Sequence, residues 1–264
     1  MKFSHELKAA KKAALDAGSL LRERFGEKKE IFGKGSPGDF ANFVTKADMD
    51  SQKRVVALLK EAFPDYGVLS EEGIDQKLAK RWIIDPLDGT RNFTCGYPFF
   101  SVSVAFERNG EIESGVVYDP MRNELFFGER GKGAYMNDER VRVSNAKKLL
   151  ECQLSTGFGY KRDEPLDRTL EYIRKLLKFG AIDVLRDGSA ALDLCYVACG
   201  RHSGFWEFGL SPWDTAAGAL LVSEAGGRIT EIHGSIWRLD SKSILATNRK
   251  IHEEFIEVVG SEKW

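Results

Sequence analysis

The sequence has 264 residues, with 39 basic against 40 acidic side chains and a formal net charge of -1. This balance argues against a dedicated nucleic-acid-binding protein, which usually carries a basic excess or a basic face. A hydrophobic fraction of 42% argues against a disordered chain, and no apolar run reaches the roughly 20 residues that a bilayer span needs. The N-terminal segment is charged and lacks a signal-peptide core, so we expect a cytoplasmic protein that does not bind membranes.

The four cysteines show no disulfide-framework spacing in a chain of this length. Cys195 and Cys199 are one helical turn apart, but the nearest histidine, His202, follows the predicted end of their helix. We therefore predict reduced thiols, with Cys195 and Cys199 as small core residues rather than metal ligands.

In the first half of the chain, two helices precede a series of short strands. Apolar residues recur at helical spacing over residues 6–25, and a second amphipathic helix is predicted over residues 47–63. Alternating serine and valine in residues 101–104 predict a sheet with one covered face. Short apolar runs bounded by turn residues predict strands at 66–70, 81–85, 99–106, 112–119 and 124–129.

In the second half, beyond residue 143, strands and helices alternate, which together with the first half favours layered sheets and helices. The sequence contains no repeat or obvious linker, so residues 1–143 and 144–264 are expected to share one folding unit spanning 1–264. Helices are predicted at 166–179, 190–200, 213–225 and 250–259, and strands at 181–185, 202–208, 227–232 and 242–247.

Residues 33–38, GKGSPG, formally match G-x-G-x-x-G. A dinucleotide site needs a strand before this sequence and a helix after it. Here a helix is predicted before it, Pro37 interrupts it and a loop continues it, so we interpret the segment as a mobile glycine loop. The sequence contains no Walker A motif, and nucleotide hydrolysis by that route is unsupported.

Acidic residues occur at the ends of three predicted elements, the first in IIDPLDGT. Asp85 and Asp88 close a hydrophobic strand there, a position where α/β proteins place ligand sites, and their oxygens suit hard divalent cations. Asp-Pro and Asp-Gly are also ordinary turn dipeptides, so a turn or a helix cap explains this pair equally well. Gly89 and Thr90 would offer backbone N–H groups and a hydroxyl to a phosphate at a helix start.

The other two acidic groups each have a simple structural explanation. Glu71 and Glu72 follow a strand in SEEG, where a solvated loop is the usual reason for adjacent carboxylates. Asp214 in SPWDTAAG fits a capping box, with Ser211 as N-cap and Pro212 at the first helical position. Three such groups in one chain nevertheless favour a shared metal site.

The sequences IIDPLDGTRNF and SPWDTAAG, with SEEG and VTKAD upstream, make the chain resemble the inositol monophosphatase family. The similarity runs from about Leu7 to the last helix and includes GKGAYMN, GSAALD and SEAGG in the family's order. That family is magnesium-dependent and lithium-sensitive, and shares a superfamily with fructose-1,6-bisphosphatase. The resemblance implies an α/β (α+β layered) fold, an alternating helix/sheet αβαβα sandwich of the sugar-phosphatase type, and a homodimer.

The resemblance also implies a site for two core Mg²⁺ ions and a weaker third. Glu71, Asp85 and the Leu87 carbonyl would bind the first ion. Asp85, Asp88 and Asp214 would bind the second, and the third would lie near Glu71, held largely through water.

By the same resemblance, Thr90 and Asp48 are the pair that orients the attacking water, with Glu71 as a further catalytic residue. Arg186 matches a basic family position only loosely. Substrate preference is expected to depend on the segments 154–162 and 183–190. The residues to which the resemblance assigns substrate binding are Asp88, Gly89, Thr90, Ser189, Ala190, Glu207 and Asp214.

Two departures from the family pattern concern the third ion. Asn42 stands where the family typically has Asp before its F/L-V-T sequence, and an acidic residue occurs instead at Asp39. The loop ahead of VTKAD is also longer, which leaves the assignment of an ion-contacting lysine to Lys34 open. Both departures leave the two core ions untouched.

Together these residues predict a magnesium-dependent phosphomonoesterase for small polyol or sugar phosphates, with myo-inositol 1-phosphate as the leading substrate. Two cations would stabilise the entering and leaving oxygens of an in-line displacement. Alternatives that share the metal site are fructose-1,6-bisphosphatase, a dual enzyme and, less favoured, 3′-phosphoadenosine 5′-phosphate phosphatase. From a different class, the chain could be a protein-binding module with incidental activity, although a decayed site would normally have lost a ligand carboxylate.

Overall fold

The structure is a computed structural model that describes residues 2–27, 31–33, 43–159 and 164–262. The helices in these ranges are α1 His5–Arg24, α2 Lys46–Ala62, α3 Thr90–Cys95, α4 Glu164–Phe179, α5 Ala190–Ala198, α6 Pro212–Glu224 and α7 His252–Gly260, with a 3₁₀ turn at Leu149–Glu151. The strands are β1 Ile31–Gly33, β2 Phe43–Thr45, β3 Gly67–Ser70, β4 Ile74–Asp75, β5 Lys80–Asp88, β6 Ser101–Arg108, β7 Glu111–Asp119, β8 Glu124–Glu129, β9 Gly133–Met136, β10 Glu139–Arg140, β11 Gln153–Thr156, β12 Asp183–Leu185, β13 Gly204–Phe208, β14 Arg228–Thr230 and β15 Ser243–Thr247.

The strands form a large and a small sheet, together with an antiparallel ribbon of β1 and β2. The large sheet has the order β10-β9-β8-β7-β6-β5-β3-β4, and only its β3–β5 pair is parallel among the described pairings. The small sheet has the order β12-β11-β13-β15-β14, in which β11 runs parallel to both of its neighbours. The first half of the chain therefore supplies the large sheet and the second half the small one.

Helices cover both faces of both sheets. Helices α1 and α2 pack on the outer face of the large sheet, α5 and α6 lie between the sheets, and α4 and α7 cover the outer face of the small sheet. Successive side chains of a strand point to opposite faces, so Trp82 and Ile84 enter the outer core while Ile83 enters the central one. These five layers confirm the expected αβαβα sandwich.

The prediction of one covered face for residues 101–104 is wrong. Strand β6 is buried on both faces along all but its last residue, because α1 packs on one side and α6 on the other. The serines occupy the central face, where small side chains leave room for the helix starts. Ser101 Oγ lies 3.4 Å from Ser189 Oγ, and Ser103 Oγ donates to the Trp213 carbonyl at 3.4 Å.

Most predicted elements occur within a few residues of their expected bounds, and α3 begins at Thr90, where a helix start was expected. Several short strands, among them β1, β4 and β11, were not predicted. Strand β1 follows α1 and ends at Gly33, the first residue of the glycine segment, so the expectation that a helix precedes that segment directly is wrong. Beyond Gly33 the glycine segment lies outside the described residues, and so do Lys34, Asp39 and Asn42.

The four cysteines are free thiols, as predicted, and Cys195 lies in the central core with Cys199 packed against it. That core draws on both halves of the chain, for example on Ile83 and Phe205. The single folding unit of residues 1–264 nonetheless stays a prediction. No helix in the described ranges combines the length and apolar character that a membrane span requires.

Candidate metal and phosphate site

The end of β5 brings two carboxylates to one face of the large sheet. Asp85 pairs with Ser103 and Asp88 with Ser101, so three steps along β5 correspond to two along β6. Side chains three residues apart in a regular strand point to opposite faces. The bulge between Asp85 and Asp88 turns both carboxylates to the same face. The Pro86 carbonyl accepts a hydrogen bond of 2.7 Å from Ser51 Oγ of α2, which ties the bulge to the outer layer.

The third carboxylate comes from the start of α6. Ser211 and Asp214 form the predicted capping box, in which the Ser211 N–H donates to Asp214 Oδ2 at 2.6 Å. Asp85, Asp88 and Asp214 each place a carboxylate oxygen so that all three lie within 4.8 Å of one another. The structural interpretation of Asp214 is therefore confirmed, and its role as a metal ligand stays a prediction.

The gathered carboxylates perturb one another. Burial, reinforced by the charges of Glu71, Asp88 and Asp214, raises the pKa of Asp85 well above its usual range. Burial likewise raises the pKa of Asp214, and it raises the pKa of Asp88 to about 6 although hydrogen bonds to that carboxylate act in the opposite direction. Such a cluster needs protons or cations to neutralise it.

Divalent cations fit this donor set. Hard cations such as Mg²⁺ take oxygen ligands, and the ion pairs of the described residues include none to Asp85, Asp88 or Asp214. The half-buried Glu71 follows β3 and lines the same cavity as Asp88 and Asp214. The residues that would hold the ions are Glu71, Asp85, Leu87 through its carbonyl, Asp88 and Asp214.

Thr90 and Asp48 lie together beside this cluster. The Thr45 N–H and hydroxyl donate to Asp48 Oδ2 at 2.8 and 2.5 Å, and the Thr90 hydroxyl lies 2.9 Å from Asp48 Oδ1. Thr90 Oγ1 is also 3.0 Å from the Leu87 carbonyl oxygen. The hydroxyl has one proton to donate, so donation to Asp48 leaves the Thr90 oxygen as an acceptor that can orient a water molecule.

Gly89 is the N-cap of α3 and has a left-handed conformation, with φ of 97°. A Cβ atom here would lie 3.1 Å from the Phe99 carbonyl oxygen and 3.3 Å from that of Gly188. Both the conformation and the crowding therefore require glycine.

One cavity of about 240 Å³ opens above these groups. Its lining residues are Glu71, Asp88, Gly89, Thr90, Arg91, Gly157, Phe158, Gly159, Arg186, Gly188, Ala190, Glu207, Gly209, Leu210, Ser211, Trp213 and Asp214.

Ser189 is fully buried and absent from that lining. Its hydroxyl donates to Asp88 Oδ2 at 2.5 Å, and the Ala191 N–H donates to the same oxygen at 2.7 Å. Ser189 thus holds a carboxylate in place, whereas its neighbour Ala190 reaches the cavity.

Glu207 and Arg186 also line this cavity. Burial raises the pKa of Glu207 to about 8, against the nearby positive charge of Arg186. The Arg186 guanidinium lies 5.8 Å from the Phe158 ring centroid. Phe158 and Gly157 lie in the segment 154–162, but the sequence predicts no individual role in the site for either of them or for Arg91.

Residues 3–263 match the inositol monophosphatase family. An inositol-1-monophosphatase of Mesorhizobium japonicum is 43% identical over 254 residues, covering 94% of this chain and 93% of that protein. A putative Nus factor SuhB of Neisseria meningitidis serogroup B is 40% identical over 258 residues, covering 97% of this chain and 98% of that protein. The Thermotoga maritima IMPase structure has a TM-score of 0.90 at 38% identity, with 97% of each chain covered. With the carboxylate site and the layered fold, these similarities show that the chain belongs to the inositol monophosphatase family.

Proposed function

We propose that this protein is a Mg²⁺-dependent phosphomonoesterase for small polyol phosphates, with myo-inositol 1-phosphate as the leading substrate. The observation that carries the proposal is the meeting of Asp85, Asp88 and Asp214 beside the Thr90–Asp48 hydrogen bond. A homodimer, lithium inhibition, a cytoplasmic location and a weaker third ion belong to the same proposal and rest on the family.

The reaction converts a phosphate monoester and water into an alcohol and inorganic phosphate. When bound, divalent cations would neutralise the phosphate oxygens and favour attack at phosphorus. Thr90 orients the attacking water through its acceptor oxygen, while the buried Asp48 fixes the Thr90 hydroxyl. The Gly89 and Thr90 N–H groups at the start of α3 are placed to bind phosphate oxygens.

The cavity favours a small alcohol. Its volume of about 240 Å³ is close to the lower end of the roughly 300–1,000 Å³ of typical ligand pockets. With its pKa raised to about 8, Glu207 is largely protonated at neutral pH, so it can both donate to and accept from a polyol hydroxyl. Arg186 lines the same cavity, and its positive charge leaves fructose 1,6-bisphosphate, with its second phosphate, as the main competing substrate.

A substrate panel tests this proposal. Phosphate release should be measured from myo-inositol 1-phosphate, fructose 1,6-bisphosphate and 3′-phosphoadenosine 5′-phosphate, each with Mg²⁺ and with EDTA. We expect the highest kcat/KM for myo-inositol 1-phosphate and no turnover in EDTA. Preference for either competitor would reassign the substrate, and metal-independent turnover would contradict the site.

Asp85→Asn tests the carboxylate cluster itself. The change removes the charge at the buried centre of the site, so we expect kcat to fall at least about 1,000-fold while the variant stays folded. Asp75→Asn, an exposed aspartate on β4 of the same sheet, is the matched control and should retain full activity. Circular dichroism checks the folding, and near-normal turnover by folded Asp85→Asn would refute the assignment.

The similarity to a putative Nus factor supports a second candidate, a protein-binding role that does not require turnover. Asp85→Asn separates the two roles in the source organism. If the inactive variant restores the phenotype of a strain lacking the gene, binding is the required function. If only the active protein restores it, hydrolysis is.

A further inference from the structure

A second cluster of ligand-bearing side chains lies near Asp88 but outside the cavity lining. Asp187, Asp193 and His202 each offer one ligand atom, and these atoms lie within 4.8 Å of one another. Asp187 follows β12, Asp193 belongs to α5 and His202 precedes β13. The cluster therefore joins three separate elements of the second half of the chain.

Asp193 provides the strongest sign that something is bound there. Its side chain is 1% exposed, and Oδ1 is enclosed without a hydrogen-bond partner among the residues that the structure describes. Oδ1 lies 3.9 Å from His202 Nδ1, which is too far for a hydrogen bond. Asp187, Glu207 and Asp88 add negative charge around this carboxyl, and a hydrogen bond from the Ser155 side chain offsets only part of it. A buried carboxylate oxygen in such surroundings is costly unless a cation or a proton is supplied.

His202 has the properties of a metal ligand rather than of a counter-ion. Its side chain is 3% exposed, its Nδ1 lies 3.0 Å from Ser155 Oγ, and its Nε2 lies 3.7 Å from Asp187 Oδ2. Burial lowers the pKa of His202 to about 4, so the ring is neutral at pH 7 and cannot balance the two carboxylates. Neutral imidazole is the form that binds metal ions.

We propose that Asp187, Asp193 and His202 bind one transition-metal dication of the Zn²⁺ class, at a structural site separate from Asp85, Asp88 and Asp214. Two carboxylates with one imidazole suit Zn²⁺, Mn²⁺ or Fe²⁺, whereas Mg²⁺ favours oxygen ligands alone.

Such an ion would brace the segment that holds Asp88. The Asp187 carbonyl accepts from Asn92 Nδ2 at 2.8 Å, and the Asp193 N–H donates to the Ser189 carbonyl at 2.9 Å. Ser189 in turn donates to Asp88. The ion would thus stabilise the wall of the catalytic cavity without contacting substrate.

Zn²⁺ titration of metal-free protein tests this site. Because Zn²⁺ can also occupy the catalytic carboxylates, His202→Gln and its parent are compared in an Asp85→Asn background by calorimetry and by Co²⁺ absorption spectra. We expect His202→Gln to abolish one Zn²⁺-binding event per chain or to weaken its affinity by at least about 10-fold. A loss of about 10-fold is the smallest that is typical of residues that only support a metal ligand, and a ligand itself should matter at least as much. His233→Gln, at an exposed histidine, is the matched control and should bind like the parent.

Equal Zn²⁺ binding by His202→Gln and its parent would overturn the proposal and leave a shared proton as the neutralising charge. If His202→Gln does not fold, crystals of the unsubstituted protein soaked in Zn²⁺ decide the matter. An anomalous peak between Asp193 and His202 supports the site. A peak confined to the catalytic carboxylates, or no peak, overturns it.

Discussion

Asp48 and Asp214 each serve the helix that carries them and the site at once. One oxygen of Asp48 closes the capping box of α2, and one oxygen of Asp214 closes that of α6. Such a bond restricts rotation of the side chain, so the second oxygen keeps a defined direction. The capping interaction and the proposed catalytic role are therefore complementary.

Gly157 provides a test of the role of Glu207. A Cβ atom there would lie 2.0 Å from Glu207 Oε2, so Gly157→Ala must displace the Glu207 carboxyl. We expect kcat/KM for the polyol phosphate to fall about 10- to 100-fold with little change in Mg²⁺ affinity. Gly260→Ala in α7 is the control, since it lies outside the cavity lining and its Cβ would meet no atom of the described residues within 4 Å. Equal kinetics for both variants would show that Glu207 does not position the substrate.

The role of a single residue can be predicted from the sequence when its neighbours along the chain mark the end of a strand or the start of a helix. Asp85, Asp88 and Asp214 stand at recognisable element ends, and the structure brings them together. Gly157 has no such local signal, because the carboxyl that requires its lack of a side chain is 50 positions away, at Glu207. The bulge that turns Asp88 toward Asp85 likewise depends on pairing with β6.

Helices α5 and α6 pack closely at the centre of the molecule, and both begin at the site. Gly218 of α6 is the contact point, since a Cβ there would lie 2.6 Å from Leu194 Cβ. Gly218→Ala should lower the free energy of unfolding by about 1–3 kcal/mol, measured by urea denaturation, and weaken Mg²⁺ binding through Asp214. At Gly260 in α7 a Cβ would meet no atom of the described residues within 4 Å, so Gly260→Ala should leave both quantities nearly unchanged. An unchanged free energy of unfolding for Gly218→Ala would mean that α5 and α6 can move apart to admit the methyl group without destabilising the protein.

Long periodic elements such as α1 and α2 could be predicted from the sequence, because their apolar stripes match the core that they enter. Short strands could not. The pairing of β4 with β3 involves two residues on each strand, and β10 is exposed, so neither has a hydrophobic pattern to detect. The prediction of one covered face for β6 is wrong for another reason. Alternating serines suggest an exposed face, but small polar residues can also occupy a face that helices cover.

At the scale of the whole molecule, the balanced net charge conceals a concentration of negative charge. The pKa of Asp88 is raised to about 6, and those of Asp85 and Asp214 are raised well above their usual range. A raised folded-state pKa means that the folded protein binds protons more tightly than the unfolded chain. Without metal, stability is therefore lost as pH rises from about 4 through 6 and beyond.

Magnesium should reverse this loss, because it replaces the protons. We expect 10 mM Mg²⁺ to raise Tm more at pH 8 than at pH 5, as measured by scanning calorimetry. Each additional kcal/mol of stabilisation at pH 8 should add about 2–4 °C to the Tm increase. Asp85→Asn should reduce both the increase and its dependence on pH. An equal Tm increase at the two pH values would show that the ions and the protons do not compete.

The proposed site draws on three of the five layers, with Asp48 from α2, Asp85 and Asp88 from the large sheet, and Asp214 from α6. No partial opening that separates these layers can leave the site intact. Bound ions therefore oppose the local unfolding of each of these three layers. With ions bound, α2, the large sheet and α6 should unfold together in one cooperative reaction. Hydrogen exchange with and without Mg²⁺ should show the slowest amides of α2, β5 and α6 gaining protection together.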